Sequence, residues 1–169
     1  MRSSSKIRVY TNGIAVKGTG AYAYIVIESK EQSLTENGNG SLCVLSPSTL
    51  KAKFAQSGPA KDEMRMKMRA VYEGVRHCPD NMEVEVYTDN FLIDTAMRTT
   101  TREMEDGDIA DRYRQYVAAH RISVVYRITK HYNGNDFPNN DHDEWTWLAY
   151  NLCENAIKKY DKEHKKDTK

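Results

Sequence analysis

Hydrophobic and polar residues alternate with a period of two in the first third of the chain and move to a helical period beyond it. Lys6 to Tyr10 and Ala21 to Ile27 alternate or cluster β-branched and aromatic residues, and Gly13, Gly18 and Gly20 punctuate the stretch between them, which predicts an opening hairpin. Asn37-Gly38-Asn39-Gly40 is a turn signal, and the short apolar run Leu42-Cys43-Val44-Leu45, bounded by Pro47, predicts a third strand. The chain therefore opens as an antiparallel meander.

From Lys61 onward, Met64, Met68, Val71, Tyr72 and Val75 fall at i, i+4, i+7, i+8 and i+11, one face of a helix, with Asp62 placed to cap it and Arg65, Arg69 and Glu73 facing away. Pro79-Asp80-Asn81 stops it, and Met82 to Tyr87 sets Val84 and Val86 against Glu83 and Glu85 in a strand that ends at Thr88-Asp89-Asn90. Phe91 to Met97 reads as a short helix, Thr99 to Gly107 as a polar loop, and Ile109, Tyr113, Tyr116 and Val117 as a helix running to His120. Ile122 to Ile128 is the fifth strand, His131 to Asn140 a loop, and Asp143 opens a last helix carrying Leu148, Leu152 and Ile157 on one side. Lys158 to Lys169 reads as a fraying charged tail behind a single domain over residues 1–157.

Three strands, a helix, a strand, helices, a strand and a helix require crossovers between parallel strands. The expected fold class is α/β: a five-stranded mixed sheet, made of the three-strand antiparallel meander plus two parallel strands, flanked by helices.

Composition changes this picture little. A chain of 169 residues buries a core without staples, and Cys43, Cys78 and Cys153 lack the paired spacing of a zinc site or disulfide framework, so buried free thiols are expected. The formal net charge of +1 gives no global footprint for nucleic acid, so any polyanion binding must be local. No segment approaches the ~20 apolar residues of a membrane span and the first residues lack an apolar signal core, which makes the cytoplasm the expected setting and a membrane no partner.

Four landmarks carry a family resemblance. Val9-Tyr10-Thr11-Asn12-Gly13 resembles the first-strand Thr-Asp-Gly signature of the ribonuclease H family, and Arg65-Met66-Lys67-Met68-Arg69-Ala70 resembles its Arg-Met-Glu-Leu-x-Ala helix. Val86-Tyr87-Thr88-Asp89 resembles its Tyr-Thr-Asp strand end, and the loop His131 to Asp143, followed by Glu144 and Leu148-Ala149, is the fourth landmark. The resemblance spans the chain to about Ile157 and implies the ribonuclease H-like fold.

What it implies for chemistry is two-metal hydrolysis of the RNA strand of an RNA/DNA hybrid, with two Mg²⁺ ions ~4 Å apart clamping the attacking water and the leaving oxygen. Four carboxylates hold those ions in the family. Asp89 and Asp143 match two of them, and His131 matches the mobile histidine that assists proton transfer or product release. Asn12 and Lys67 stand at the other two positions.

Asn12 offers a neutral carbonyl oxygen where an anion is expected, and Mg²⁺ relies on anionic oxygen to offset its reluctant dehydration. Lys67 has no lone pair for a metal and adds positive charge where the ion would sit. At an effective dielectric of ~20, opposite charges ~4 Å apart attract by about 4 kcal/mol before desolvation, so an ammonium bridging Asp89 and Asp143 would make a self-contained site. The alternative is that Glu63, one turn earlier on the same helix, supplies the carboxylate.

Features for holding a hybrid are thin as well. The family's asparagines before the helix are here Glu63 and Met64, Phe91 replaces an amide side chain, and the loop Arg102 to Asp108 is predominantly acidic where a basic protrusion would attract phosphates. Trp145 and Trp147, two apart on the last helix, are expected as one core and one edge residue.

Three functions remain open at this level. The first is a ribonuclease H-like protein with two-metal catalysis lost or impaired, acting as a nucleic-acid-binding or interaction module for RNA/DNA hybrid or structured RNA. The second is an active Mg²⁺-dependent ribonuclease H using Asp89, Asp143, a repositioned Glu63 and His131. The third is a pure protein-interaction scaffold, since fold alone does not set function. Oligomeric state is not legible here.

Overall fold

The computed structural model describes residues 3–35, 41–45, 49–60, 62–101, 103–104, 106–131 and 141–165, without the side chains of 3–4, 30–35, 41–48, 141–143 and 165. The turn signal at Asn37 to Gly40, Pro47 and the loop from residue 132 to 140 lie outside that set, as do the side chains of Cys43 and Asp143.

Strands β1 (Ser3–Val16) and β2 (Thr19–Thr35) form the opening hairpin, longer than the apolar clusters alone indicate. They pair without a break from Ser3 opposite Gln32 to Val16 opposite Thr19. The two residues between, Lys17 and Gly18, both have positive φ, at 51° and 84°, the two-residue turn whose twist matches the strands it joins.

Beyond β2 the third lane of the sheet is filled by two strands, β3 (Ser41–Leu45) and β4 (Thr49–Pro59). Both pair antiparallel with β2, β3 along its second half and β4 along its first. The five-lane mixed sheet expected from the sequence is therefore present, but it is built from six strands rather than five, because β3 and β4 share its third lane. β4 escaped the hydrophobic pattern because it lies at the sheet edge: Leu50 and Phe54 alternate with Lys51 and Lys53 but stay largely exposed.

Asp62 caps α1 (Glu63–Val75) as expected, its side chain accepting from the Met64 N–H at 2.9 Å. β5 (Glu83–Thr88) runs parallel to β1, and β6 (Ser123–Ile128) runs parallel to β5, giving the lane order β3/β4, β2, β1, β5, β6. Between them come α2 (Leu92–Thr99) and α3 (Gly107–Ala119), and α4 (Asp141–Lys165) closes the chain. α4 continues through the charged segment from Lys158 to Lys165, and Asp161 accepts a hydrogen bond from the Thr19 hydroxyl at 3.4 Å.

The strand period sorts the core into two layers. Ile7, Val9, Tyr22, Tyr24, Val26, Val84 and Val86 face α1, α2 and α3, whereas Tyr10, Ile14, Ala21, Ala23, Ile25, Ile27 and Tyr87 face α4. Trp145 and Trp147 are both half-buried, one against the Tyr10 cluster and the other against the Ile14 cluster. The expected division into core and edge fails because α4 spans two apolar clusters on one sheet face.

Cys78 and Cys153 are buried free thiols, both pushed up to about 12 by burial. Among the described residues no helix is long and apolar enough to cross a membrane.

Candidate functional site

The parallel register of β1 and β5 sets Tyr10 opposite Tyr87, so Asn12 and Asp89 lie level, each two residues further along. The Thr11 hydroxyl donates to the Tyr87 carbonyl at 2.8 Å and ties the two strands at that level. Onto this point comes α1. A Cβ on Gly13 would lie 2.4 Å from both the Lys67 nitrogen and the Met66 carbonyl carbon, so only glycine lets the helix backbone settle against β1.

That close approach carries Lys67 inside. Its Nζ donates to Asp89 Oδ1 at 2.6 Å and to Asn12 Oδ1 at 2.9 Å. The two charged side chains are 4% and 2% exposed, so neither reaches water in quantity. The second oxygen of Asp89 lies 2.7 Å from His131 Nδ1, which a carboxylate acceptor makes the donor. Asn12 Oδ1 also accepts the Gly13 N–H at 2.8 Å, and two donors on that atom fix which end of the amide is oxygen. Its Nδ2 is buried and has no partner among the described residues.

Asn12, Lys67, Asp89 and His131, four residues singled out from the sequence, therefore meet at one point. Glu63 does not supply a carboxylate to Asp89: it stands at the rim, 50% exposed, with an oxygen 4.0 Å from Lys67 Nζ. Asp143 lies in the first turn of α4, but its side chain is outside the described set, so its part in the site remains an expectation.

Among the described residues, the donor set at this point does not fit two bound magnesium ions. Both Asp89 oxygens are engaged, Asn12 Oδ1 already accepts two hydrogen bonds, and an ammonium lies against the carboxylate a metal would need. Among the described residues no group of three or more His, Cys, Asp or Glu is placed to hold a metal.

Sequence reasoning missed one support of this centre and one ion-pair cluster beyond it. The Cys153 thiol on α4 donates to the Asn12 carbonyl at 3.5 Å, which places a residue read only as a buried thiol directly beneath the site. The acidic loop before α3 is also less repulsive than its composition suggests, because Arg65 pairs with Asp106 at 2.9 Å and with Asp108 at 3.0 Å. Those hydrogen bonds push the Arg65 guanidinium up and hold Asp108 below the usual carboxylate range. Neither contact has a local signal, since each joins residues some forty or more positions apart.

No family model matches the chain and no curated protein does. Solved structures do. The N-terminal RNase H domain of a Mycobacterium tuberculosis protein superposes with a TM-score of 0.64 at 14% identity, over 95% of this chain and 99% of that one. RNase H1 of the halophilic archaeon Halobacterium salinarum gives 0.56 at 11% identity, over 91% and 98%. The LC11-RNase H1 isolated from compost, in its complex with an RNA/DNA hybrid, gives 0.56 at 17% identity, over 92% and 99%. These likenesses define the class: the chain has the ribonuclease H-like fold.

Proposed function

We propose that this chain is a ribonuclease H-like nucleic-acid-binding module in which two-metal hydrolysis has been lost. One observation carries the reading: Lys67 Nζ lies 2.6 Å from Asp89 Oδ1 in a pocket that excludes water from both. An ammonium held there supplies the positive charge that a metal would bring to the carboxylate, but it has no open coordination position to activate a water. The site is charge-satisfied and chemically closed.

The nucleic-acid part of the reading is supported by what similar folds hold. The LC11-RNase H1, and a foamy viral protease-reverse transcriptase of which 20% of the chain matches this fold, were solved in complex with RNA/DNA hybrids. RNA/DNA hybrid and structured RNA are therefore the ligands to test first. The reading of an active enzyme requires Lys67 to leave and Glu63 to take its place, and the short Lys67–Asp89 contact opposes that.

The test is incubation of a labelled RNA/DNA hybrid with substoichiometric protein and Mg²⁺. No cleavage is expected, together with binding that persists when the metal is chelated and weakens as salt rises. Multiple-turnover cleavage that Asp89→Asn abolishes would overturn the proposal. Absence of binding to hybrid and RNA alike at low salt would leave only the protein-interaction scaffold.

A further inference from the structure

Three cavities follow one another along the outer side of α1. The first, about 330 Å³, lies where β2 begins and β4 ends, and its lining includes Tyr22, Arg69 and Tyr160. The second, about 230 Å³, lies between α1 and α3; it shares Arg69 with the first and adds Arg65, Tyr72 and Arg112. The third, about 270 Å³, shares Tyr72 and Arg112 with the second and ends at Tyr116 and His120. Shared walls make the three one continuous track.

Helix geometry separates this track from Lys67. Arg65, Arg69 and Tyr72 fall at i, i+4 and i+7 and share one stripe, whereas Lys67, two residues from each arginine, points to the opposite side of the helix. A ligand on the track would not meet the closed centre.

Charge along the track is unevenly compensated. Arg65 is held by Asp106 and Asp108, and Arg76, whose guanidinium lies 5.5 Å over the Tyr72 ring, is paired with Glu73 at 3.3 Å. The two acids that line the second cavity, Glu73 and Asp108, are thus both engaged. Arg69 and Arg112 have no carboxylate partner among the described residues.

Flat groups flank those guanidiniums. Arg69 is held 4.7 Å over the buried Tyr22 ring, Tyr116 stacks on His120 at 4.1 Å, and Tyr160 stacks on His164 at 3.8 Å. Uncompensated guanidiniums suit phosphate oxygens, and aromatic rings and guanidinium planes suit unpaired bases. A duplex keeps its bases stacked inside and could use only the charges.

From these observations we propose that the outer side of α1, from Tyr160 through Arg69 and Arg112 to His120, is a track for single-stranded nucleic acid. The proposal rests on the nucleic-acid-binding reading above and deepens it, since it names the strand state and moves the contact surface away from Lys67.

Fluorescence anisotropy with a labelled, mixed-sequence single-stranded RNA, run at several salt concentrations, tests it. Arg69→Gln combined with Arg112→Gln is expected to weaken binding at least tenfold and to flatten the log–log salt slope by about 1.4, two phosphate contacts at ~0.7 each. Arg98→Gln, which removes an exposed charge on α2, should leave binding within twofold of the parent. If the double variant fails to fold, Arg112→Gln alone carries the test, because that side chain is exposed.

Equal losses from Arg98→Gln and from the double variant would overturn the track, as would an acidic peptide binding as tightly as the RNA. A parent protein that binds RNA with the double variant unaffected defeats the track and leaves the module reading standing. A parent that binds neither RNA nor hybrid defeats both.

Discussion

Lys67 and Asp89 form a buried ion pair whose attraction must offset the removal of two charges from water, and such pairs add little net stability over apolar residues of the same shape. Removing one partner is a different matter. Lys67→Met is expected to cost about 3–5 kcal/mol in urea unfolding, because it leaves the Asp89 carboxylate buried with only His131 beside it. A cost below about 1 kcal/mol would mean that the pair does not neutralise the site. At this scale the sequence was informative: Asn12, Lys67, Asp89 and His131 were each legible from their place in a motif. What no motif contains is the hydrogen bond from Lys67 to Asn12 Oδ1, which depends on side-chain reach and amide orientation.

Among the elements, the contact of α1 with β1 decides where Lys67 ends up. Gly13 is the point of closest approach, and its absent Cβ would strike backbone atoms, which cannot swing aside as a side-chain tip would. Gly13→Ala is therefore expected to destabilise the fold by about 1–3 kcal/mol or more, and to displace Lys67 from Asp89. Thermal unfolding gives the first effect, and the chemical shift of the Lys67 ammonium by NMR gives the second. An unchanged melting temperature would show that the helix can lift away at little cost. The long elements were readable because strand and helix periods are local, and Asp62 was readable as a cap because capping chemistry is local too. β4 was not, since an edge strand buries little and prints a weak pattern.

For the molecule as a whole, acid stability reports on a second charge cluster, built around the buried Glu85 carboxylate on the α4 side of the sheet. Burial alone would raise the Glu85 carboxyl, but hydrogen bonds from the Tyr87 hydroxyl at 2.8 Å and Lys6 at 3.0 Å, with the Arg8 charge nearby, outweigh it and hold the group below the usual carboxylate range. Burial, and then the same contact with Glu85, pushes Tyr87 up to about 12. A carboxyl whose folded value is depressed contributes stability that is present above its unfolded value, near 4.5, and is lost as pH falls through the folded value. Glu85→Gln should therefore cost about 1–3 kcal/mol at neutral pH, and the gap between variant and parent should close as the pH is lowered below that range. Urea melts of both proteins across acid pH check it. A gap that stays constant would remove the charge from the explanation.

Taken alone, the chain determined the kinds and order of its elements apart from β4, the parallel crossovers they require, and the motif positions at which Asn12, Lys67, Asp89 and His131 stand, because periodicity, turn chemistry and short motifs act over a few residues. Only the tertiary structure decided that the ammonium of Lys67 seats on Asp89 and not in solvent, that Arg65 pairs with Asp106 and Asp108 of the acidic segment, and that two strands share one lane of the sheet. Each of those outcomes depends on how closely distant segments approach, and a distance between remote segments is set by packing and register.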